Sequence, residues 1–368
     1  MRIFCLHRPT LPGQRAQTLQ VLHTAAALAR AGHSVTVCAD RAPGAGSDPA
    51  AEARRALGLG AAPGLALRVA PAVGPLLPRA AAGLWFRATL AAWAAGPPGV
   101  VYARDLARLA ALGPALRARG HRIVLEVHAL DALTAEERGE DPAPHRALAS
   151  ACAALADALV ANSDGTLEAW RAGPWPADRP SLRVENAADP GRQRGPVESD
   201  GVSRAFGSFL PDKDVELLLA AAARLGAPLE LCGGEPSRIA QLGPPPPCAR
   251  VLPAVPFAEV PAQMARAAAL LLPLADRCFG RRFTNPLKLW DYLLTDRPIV
   301  APDLPTVTAP AARVGARLHL HRPGDPDDLA RAWAEALAAG PRPPVVRSWD
   351  QRAAELDALL RSLPGGPR

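Results

Sequence analysis

The sequence predicts an α/β protein of two doubly wound domains facing a cleft. Three observations predict it. Short apolar runs alternate with helical patterns along nearly the whole chain. Those runs are apolar on both faces, as strands of a parallel sheet covered by helices on each side must be. A polar stretch rich in Pro and Gly, DPGRQRGPVESDG at 189–201, interrupts the alternation before it restarts. At 368 residues the chain is also too long for one ordinary core. The expected domains are residues 1–190 and 201–345. Residues 346–368 are expected as a helix that can pack back on the first domain.

In the first half, RIFCLH (2–7) reads as a strand. The amphipathic helix AQTLQVLHTAAALARAGH follows, with Gly32 as its stop signal. SVTVCAD (34–40), ALRVAP (66–71), GVVYARD (99–105), RIVLEVHA (122–129) and DALVANS (157–163) are further strands, and SLRVENAAD (181–189) closes the half. The second half repeats the pattern with SRAFGSF (203–209), PLELCGG (228–234), ARVLPAV (249–255), ALLLPLA (269–275), PIVAPDL (298–304) and ARLHLH (316–321). A final helix is expected at about 347–362. Ligands of such sheets bind beyond the carboxyl ends of the strands.

Hydrophobic residues at 49% and charged residues at 21% fit a globular rather than a disordered chain. Aromatics at 4% leave few stacking platforms, and the arginines are scattered, so no nucleic-acid partner is expected. The net charge of +7 points to an acidic partner. Six cysteines show no metal spacing, and Cys5, Cys38 and Cys232 lie in strand-like runs, which favours a reducing cytoplasm. The opening MRIFCLHRPTLPG lacks a secretory h-region. The longest apolar stretch, 80–96, is broken by Arg87 and is too short to span a bilayer. Residues 77–96, with Arg79 and Arg87 amid Leu84, Trp85, Phe86 and Trp93, read as a packed helix. A mobile acceptor loop and contact with an anionic membrane at the inner face are the alternatives.

The chain has 42 Lys+Arg, of which only Lys213 and Lys288 are lysine. In TNPLKLWDYLL (284–294), Thr284 or Asn285 is the expected helix cap, Pro286 suits the first turn, and Lys288 follows within it. In FLPDKDVELL, Asp212 is the expected cap and Lys213 takes the same place. A cation at the positive end of a helix dipole has the wrong sign by a few tenths of a kcal/mol. A bound anion reverses that, because free N–H groups and ammonium then converge on it. The inferred anion is a phosphate or diphosphate. Asp291, three residues after Lys288, shares its helix face and suits ribose hydroxyls, or else forms an ordinary ion pair with Lys288.

These segments resemble the donor domain of family 4 glycosyltransferases, which have the GT-B fold of two Rossmann-like domains. AFGSFLPDKDVELLLAAAARL resembles the strand, loop and helix whose lysine contacts the donor diphosphate, here Lys213. Ser208 stands where the family often has an arginine. LELCGGEPSR, with Gly233, resembles the next strand and its Gly-rich end. ARVLPAVPFAEVPAQMARAAALLLPL resembles the base-recognising segment. TNPLKLWDYLLTDRPIVAPDLP is similar to the loop and helix bearing a Glu-x7-Glu pair. Its second carboxylate falls on Asp291, and Phe283 occupies the first position. Asp296 replaces a common glycine, a place where a left-handed Asp is tolerated. The opening strand, helix and strand resemble the family's start, and Gly13 lies in the loop that approaches donor phosphate and acceptor.

The resemblance implies a bacterial, retaining hexosyltransferase that needs neither metal nor cofactor. Its donor is a nucleoside-diphosphate sugar bound by Gly13, Ser208, Lys213, Gly233, Asn285, Pro286, Leu287, Lys288 and Asp291. His128, at the end of a first-domain strand, is implied to contact the donor sugar and, with Lys213, to be catalytic. The acceptor, bound by the first domain, stays open among glycan, lipid-linked and small molecules. Two alternatives remain: a non-catalytic nucleotide-sugar-binding protein, motivated by Phe283 and Ser208, and a nucleotide-sugar 2-epimerase.

Beside this reading, Glu126 shares a strand face with His128, while Arg104 and His7 each end a strand. Asp325 and Asp327 have a spacing that can hold a divalent metal, but they better suit a helix cap.

Overall fold

The computed structural model of the chain describes residues 1–13, 15–72 and 78–363. They form two compact units, Met1–Val184 with the segment from Trp349, and Glu185–Ser348. The division falls just ahead of the Pro/Gly-rich stretch at 189–201.

In the first unit the elements run β1 (Arg2–Leu6), β2 (Thr10–Leu11), α1 (Ala16–Arg30), β3 (Ser34–Arg41), α2 (Pro49–Leu57), β4 (Leu65–Val69), α3 (Pro78–Ala94) and β5 (Val100–Ala103). They continue with α4 (Leu106–Ala118), β6 (Arg122–Val127), α5 (Asp131–Glu137), α6 (Ala143–Leu155), β7 (Ala158–Ala161), α7 (Asp164–Ala172) and β8 (Ser181–Arg183). The sheet is parallel, in the order β4-β3-β1-β5-β6-β7-β8, with β2 paired to the last residues of β3. Its strands are apolar on both faces because helices cover both: Ile3, Phe4, Val101, Ile123, Val124 and Val160 are all buried. Gly32 adopts φ +91° where α1 stops, and the His33 N–H returns to Leu28 O.

Helix α3 is a packed helix. Phe86 and Leu90 are buried, and Trp93 lies 5.4 Å from Phe4 and 4.8 Å from His121 between ring centroids. Leu84 is its exposed large apolar residue among those described, and the side chain of Arg79 lies outside the described residues. Among the described residues no helix is long and apolar enough to cross a membrane. The C-terminal helix Trp349–Ser362 completes this unit. It buries Leu356 and Leu360 and stacks Trp349 on His23 at 5.3 Å.

In the second unit the elements run β9 (Ser203–Gly207), α8 (Val215–Leu225), β10 (Leu229–Gly233), α9 (Pro236–Gln241), β11 (Ala249–Leu252), α10 (Val260–Arg266) and β12 (Leu270–Leu271). They end with α11 (Leu287–Leu293), β13 (Ile299–Pro302), α12 (Pro305–Arg313), β14 (His319–His321) and α13 (Pro326–Ala339). The parallel order is β11-β10-β9-β12-β13-β14. Successive strand residues feed opposite cores. Phe206, Cys232, Leu270 and Ile299 pack with Trp290 and Tyr292, while Ala205, Leu231, Leu271 and Val300 pack with Trp333. Asp325 caps α13 by accepting the N–H groups of Asp327 and Asp328, so this aspartate works as a helix cap.

Candidate active site

In the second sheet the chain leaves β9 toward β10 and β11, then returns on the other side for β12, β13 and β14. The crevice at such a reversal, between β9 and β12, is where α/β sheets bind ligands. The loops after these two strands meet there, the Ala275 N–H donating to Asp212 O at 2.9 Å.

The loop after β9 does not cap α8 as the sequence led one to expect. Pro211–Lys213 forms a single 3₁₀ turn, and Asp214 is left-handed at φ +46°, so α8 starts at Val215 without a side-chain cap. That twist separates Asp212 from the helix, and its carboxylate pairs instead with Lys213 Nζ at 3.0 Å. Lys213 therefore precedes the first turn rather than standing in it. The left-handed aspartate expected at Asp296 is absent: α11 ends on right-handed Leu294, and Asp214 and Phe209 are the left-handed residues other than glycine among those described. Ser208 is exposed beside buried Phe209. At the end of β10, Gly233 (φ +126°) lies so close to β9 that a Cβ would sit 2.1 Å from Gly207 O, and the Gly234 N–H donates to that oxygen at 2.9 Å.

The loop after β12 is tight as well. A Cβ on Gly280 would sit 2.1 Å from Ala275 O, and Phe283 is fully buried. Neither Thr284 nor Asn285 caps α11; Pro286 holds the cap position and supplies no side-chain hydrogen bond. The Asn285 amide oxygen is occupied by the Asn186 N–H at 2.8 Å and by Trp290 Nε1 at 2.9 Å. Its backbone oxygen accepts from Asn186 Nδ2 at 2.8 Å. Tertiary bonds have taken the group that would have capped the helix. Lys288 stands in the first turn after half-buried Leu287, its Nζ 3.5 Å from Asp291 Oδ2. Arg192 reaches the other Asp291 oxygen at 3.3 Å, with its guanidinium 3.6 Å from the centroid of Phe257. Both lysine side chains keep about a quarter of their surface open, 28% for Lys213 and 27% for Lys288. Two partly open ammonium groups near this switch point can take a diphosphate, and Asp291 can accept from hydroxyls.

The first sheet reverses in the same way between β1 and β5. Around that point Glu126 is the hub of a buried polar cluster. Its Oε1 accepts from Gln20 Nε2 at 2.6 Å and Arg352 at 2.8 Å, and lies 2.8 Å from His128 Nε2. Arg352 is fully buried and also donates to Val184 O at 3.0 Å and Thr24 Oγ1 at 3.1 Å. Burial alone would raise the Glu126 carboxyl, but Arg352, then His128 and Arg104, hold it well below the usual carboxylate range. Burial, then the Arg104 charge, lowers His128 to about 4 against the pull of Glu126. The same two causes lower His7 to about 4. Both rings are neutral at neutral pH. Arg104 lies 3.4 Å from His128 Nδ1, so Glu126 and Arg104 hold the ring from both sides. Gly13, in the loop after β2, is fixed by closeness to its own backbone: a Cβ would meet Thr10 O at 2.5 Å.

Sequence reasoning missed Arg352 and Arg192. Arg352 left a signal: it falls in the apolar stripe Trp349, Ala353, Leu356, Leu360 of the last helix, where a charge needs a buried partner. Arg192 lies in the polar linker and left none. Among the described residues no group of three or more His, Cys, Asp or Glu could hold a metal ion.

Residues 17–182 match the family model described as Glycosyltransferase Family 4. No curated protein matches the chain. Solved structures do match. A sucrose-phosphate synthase from Thermosynechococcus elongatus is 16% identical, with 98% of each chain covered and a TM-score of 0.70. HepE from Anabaena, in complex with UDP and glucose, is 15% identical, with 99% of this chain and 100% of that chain covered and a TM-score of 0.68. WaaG, a glycosyltransferase involved in lipopolysaccharide biosynthesis, is 13% identical, with 100% of both chains covered and a TM-score of 0.62. At these identities the likeness shows the shared fold, GT-B.

Proposed function

We propose how this chain, a glycosyltransferase whose residues 17–182 belong to family 4, handles its donor. The second unit binds a nucleoside-diphosphate sugar. Lys213 and Lys288 hold the diphosphate, Asp291 takes the ribose hydroxyls, and the backbone at Ser208, Gly233 and 285–287 lines the approach. One observation carries this reading: of the chain's only two lysines, Lys213 stands on the loop after β9 and Lys288 in the first turn of α11, the helix that follows the loop after β12, and the Ala275–Asp212 bond joins those two loops at the β9–β12 reversal. UDP is the first nucleotide to try, because HepE, of the same fold, is solved with it.

In the transfer, the bond from the sugar C1 to the diphosphate oxygen breaks and its electron pair leaves with the diphosphate. The acceptor hydroxyl oxygen bonds to C1, and its proton passes to the departing phosphate oxygen. The two ammonium groups stabilise the charge that builds on that oxygen. Attack on the leaving-group face, giving retention, is the outcome the family resemblance favours. His128, neutral at working pH, acts by hydrogen bonding rather than as a proton donor. Only the long Arg104 contact at 3.4 Å must yield for its Nδ1 to accept from a substrate hydroxyl.

Calorimetric titration with UDP, GDP and ADP tests the donor site. One nucleotide should bind, and Lys213→Ala or Lys288→Ala should each weaken it about tenfold. Equal affinity in wild type and both variants would remove the site from these loops.

A further inference from the structure

We infer that Arg104 is an anion-binding residue of the first unit, and that the group it takes is a phosphate or carboxylate carried by the acceptor. The inference rests on the reading above, in which the second unit holds the donor.

The buried cluster holds two arginines and one carboxylate. Glu126 is committed to Arg352, which lies 2.8 Å from it and is itself fully enclosed. Asp105, next in sequence to Arg104, turns to Arg108 and caps α4. Arg104 is left bonding neutral groups: Gln20 Oε1 at 2.8 Å, Gln17 O at 3.4 Å and His128 Nδ1 at 3.4 Å. No carboxylate among the described residues stands within ion-pairing distance of it. Burial pushes the guanidinium below its ordinary range; the charge of Glu126 pulls it back in part and that of Arg352 adds to the push, and the net direction is one an incoming anion would reverse.

Arg104 follows the last residue of β5, next to β1, at the reversal of the first sheet. That is where a doubly wound sheet takes ligands. His7, one residue past β1, borders with Gln20, Tyr102, Arg104 and Glu126 a cavity of about 10 Å³, which has room for one water, so the anion meets Arg104 outside it. The His7 Nε2 is buried and makes no hydrogen bond among the described residues. A water in that cavity can accept the imidazole proton and link the ring to an anion held by the guanidinium.

Gln20, itself buried, holds Glu126 with its amide nitrogen and Arg104 with its amide oxygen. The guanidinium is thereby aimed before any ligand arrives, which reduces the ordering cost of binding. Arginine suits the task because its planar fork matches phosphate and carboxylate.

The test is calorimetric titration of UDP-saturated protein with inorganic phosphate and, separately, with acetate. Saturable phosphate or acetate binding should appear in the wild type. It should weaken about tenfold or more in Arg104→Gln and return in part in Arg104→Lys. Whichever anion binds names the acceptor group. Equal binding in Arg104→Gln, or no binding of either anion to the wild type, overturns the inference. Should Arg104→Gln fail to fold, the His7 Hε1 resonance of the wild type gives the answer: it moves as the anion is added, and a fixed resonance rejects the site. Should UDP itself not bind, the donor reading falls, while the same titrations without UDP still decide Arg104.

Discussion

Glu126 and Asp291 are both buried carboxylates held by two basic side chains, one in each unit, yet they are held very differently. Glu126 receives its partners at 2.6–2.8 Å, and Arg352 is wholly enclosed. Asp291 meets Arg192 at 3.3 Å and Lys288 at 3.5 Å, with Lys288 partly open to solvent. A tight, desolvated pair is costly to break because it leaves an uncompensated charge. A loose, half-open pair can exchange a partner for a ligand at small cost. The first carboxylate is built to hold a scaffold, the second to let go.

Arg352→Leu breaks this comparison at its strongest point. It leaves Glu126 buried without its main countercharge and should cost about 3–5 kcal/mol of stability. Urea unfolding measures it, and the double variant Arg352→Leu with Glu126→Gln should recover part of the loss. A cost under about 1 kcal/mol would place Glu126 among the loose pairs.

A pH series sharpens the same contrast. His7 and His128 are held at about 4, below the ordinary histidine value of 6.5. The unfolded chain therefore binds more protons than the folded one between those values, and stability falls as pH drops from about 6.5 to 4. Glu126, whose charged form the fold favours, gives up its contribution progressively as pH falls from the usual carboxylate range downward. His128→Gln should flatten part of the slope between pH 6.5 and 4 in chemical unfolding. A slope identical to the wild type would mean that His128 titrates normally.

The parts legible in the sequence were those carried by neighbouring residues. Strand runs apolar on both faces marked the two sheets, and the i, i+3 spacing put Lys288 beside Asp291. The helix starts were misread where distant bonds overrule local chemistry. Asn285 has the right side chain to cap α11, but Asn186, 99 residues away, and Trp290 claim it. Asp212 lost its place to a left-handed Asp214, a conformation that propensity alone does not locate. The partners of Glu126 come from positions 20, 128 and 352, so only the fold could assemble them.

The smallest stability effect belongs to Lys288→Ala. Its pair with Asp291 is long at 3.5 Å, partly open and within one helix turn. Such pairs contribute about 0.3–0.5 kcal/mol. Removing a cation from the positive end of α11 returns a similar amount. The two terms nearly cancel, so thermal and urea unfolding should place the variant within about 0.5 kcal/mol of the wild type. Arg192 still neutralises Asp291 at 3.3 Å. Unchanged stability together with weakened nucleotide binding would mark a residue kept for its ligand. A loss above about 2 kcal/mol would show instead that Lys288 belongs to the scaffold, as Arg352 does.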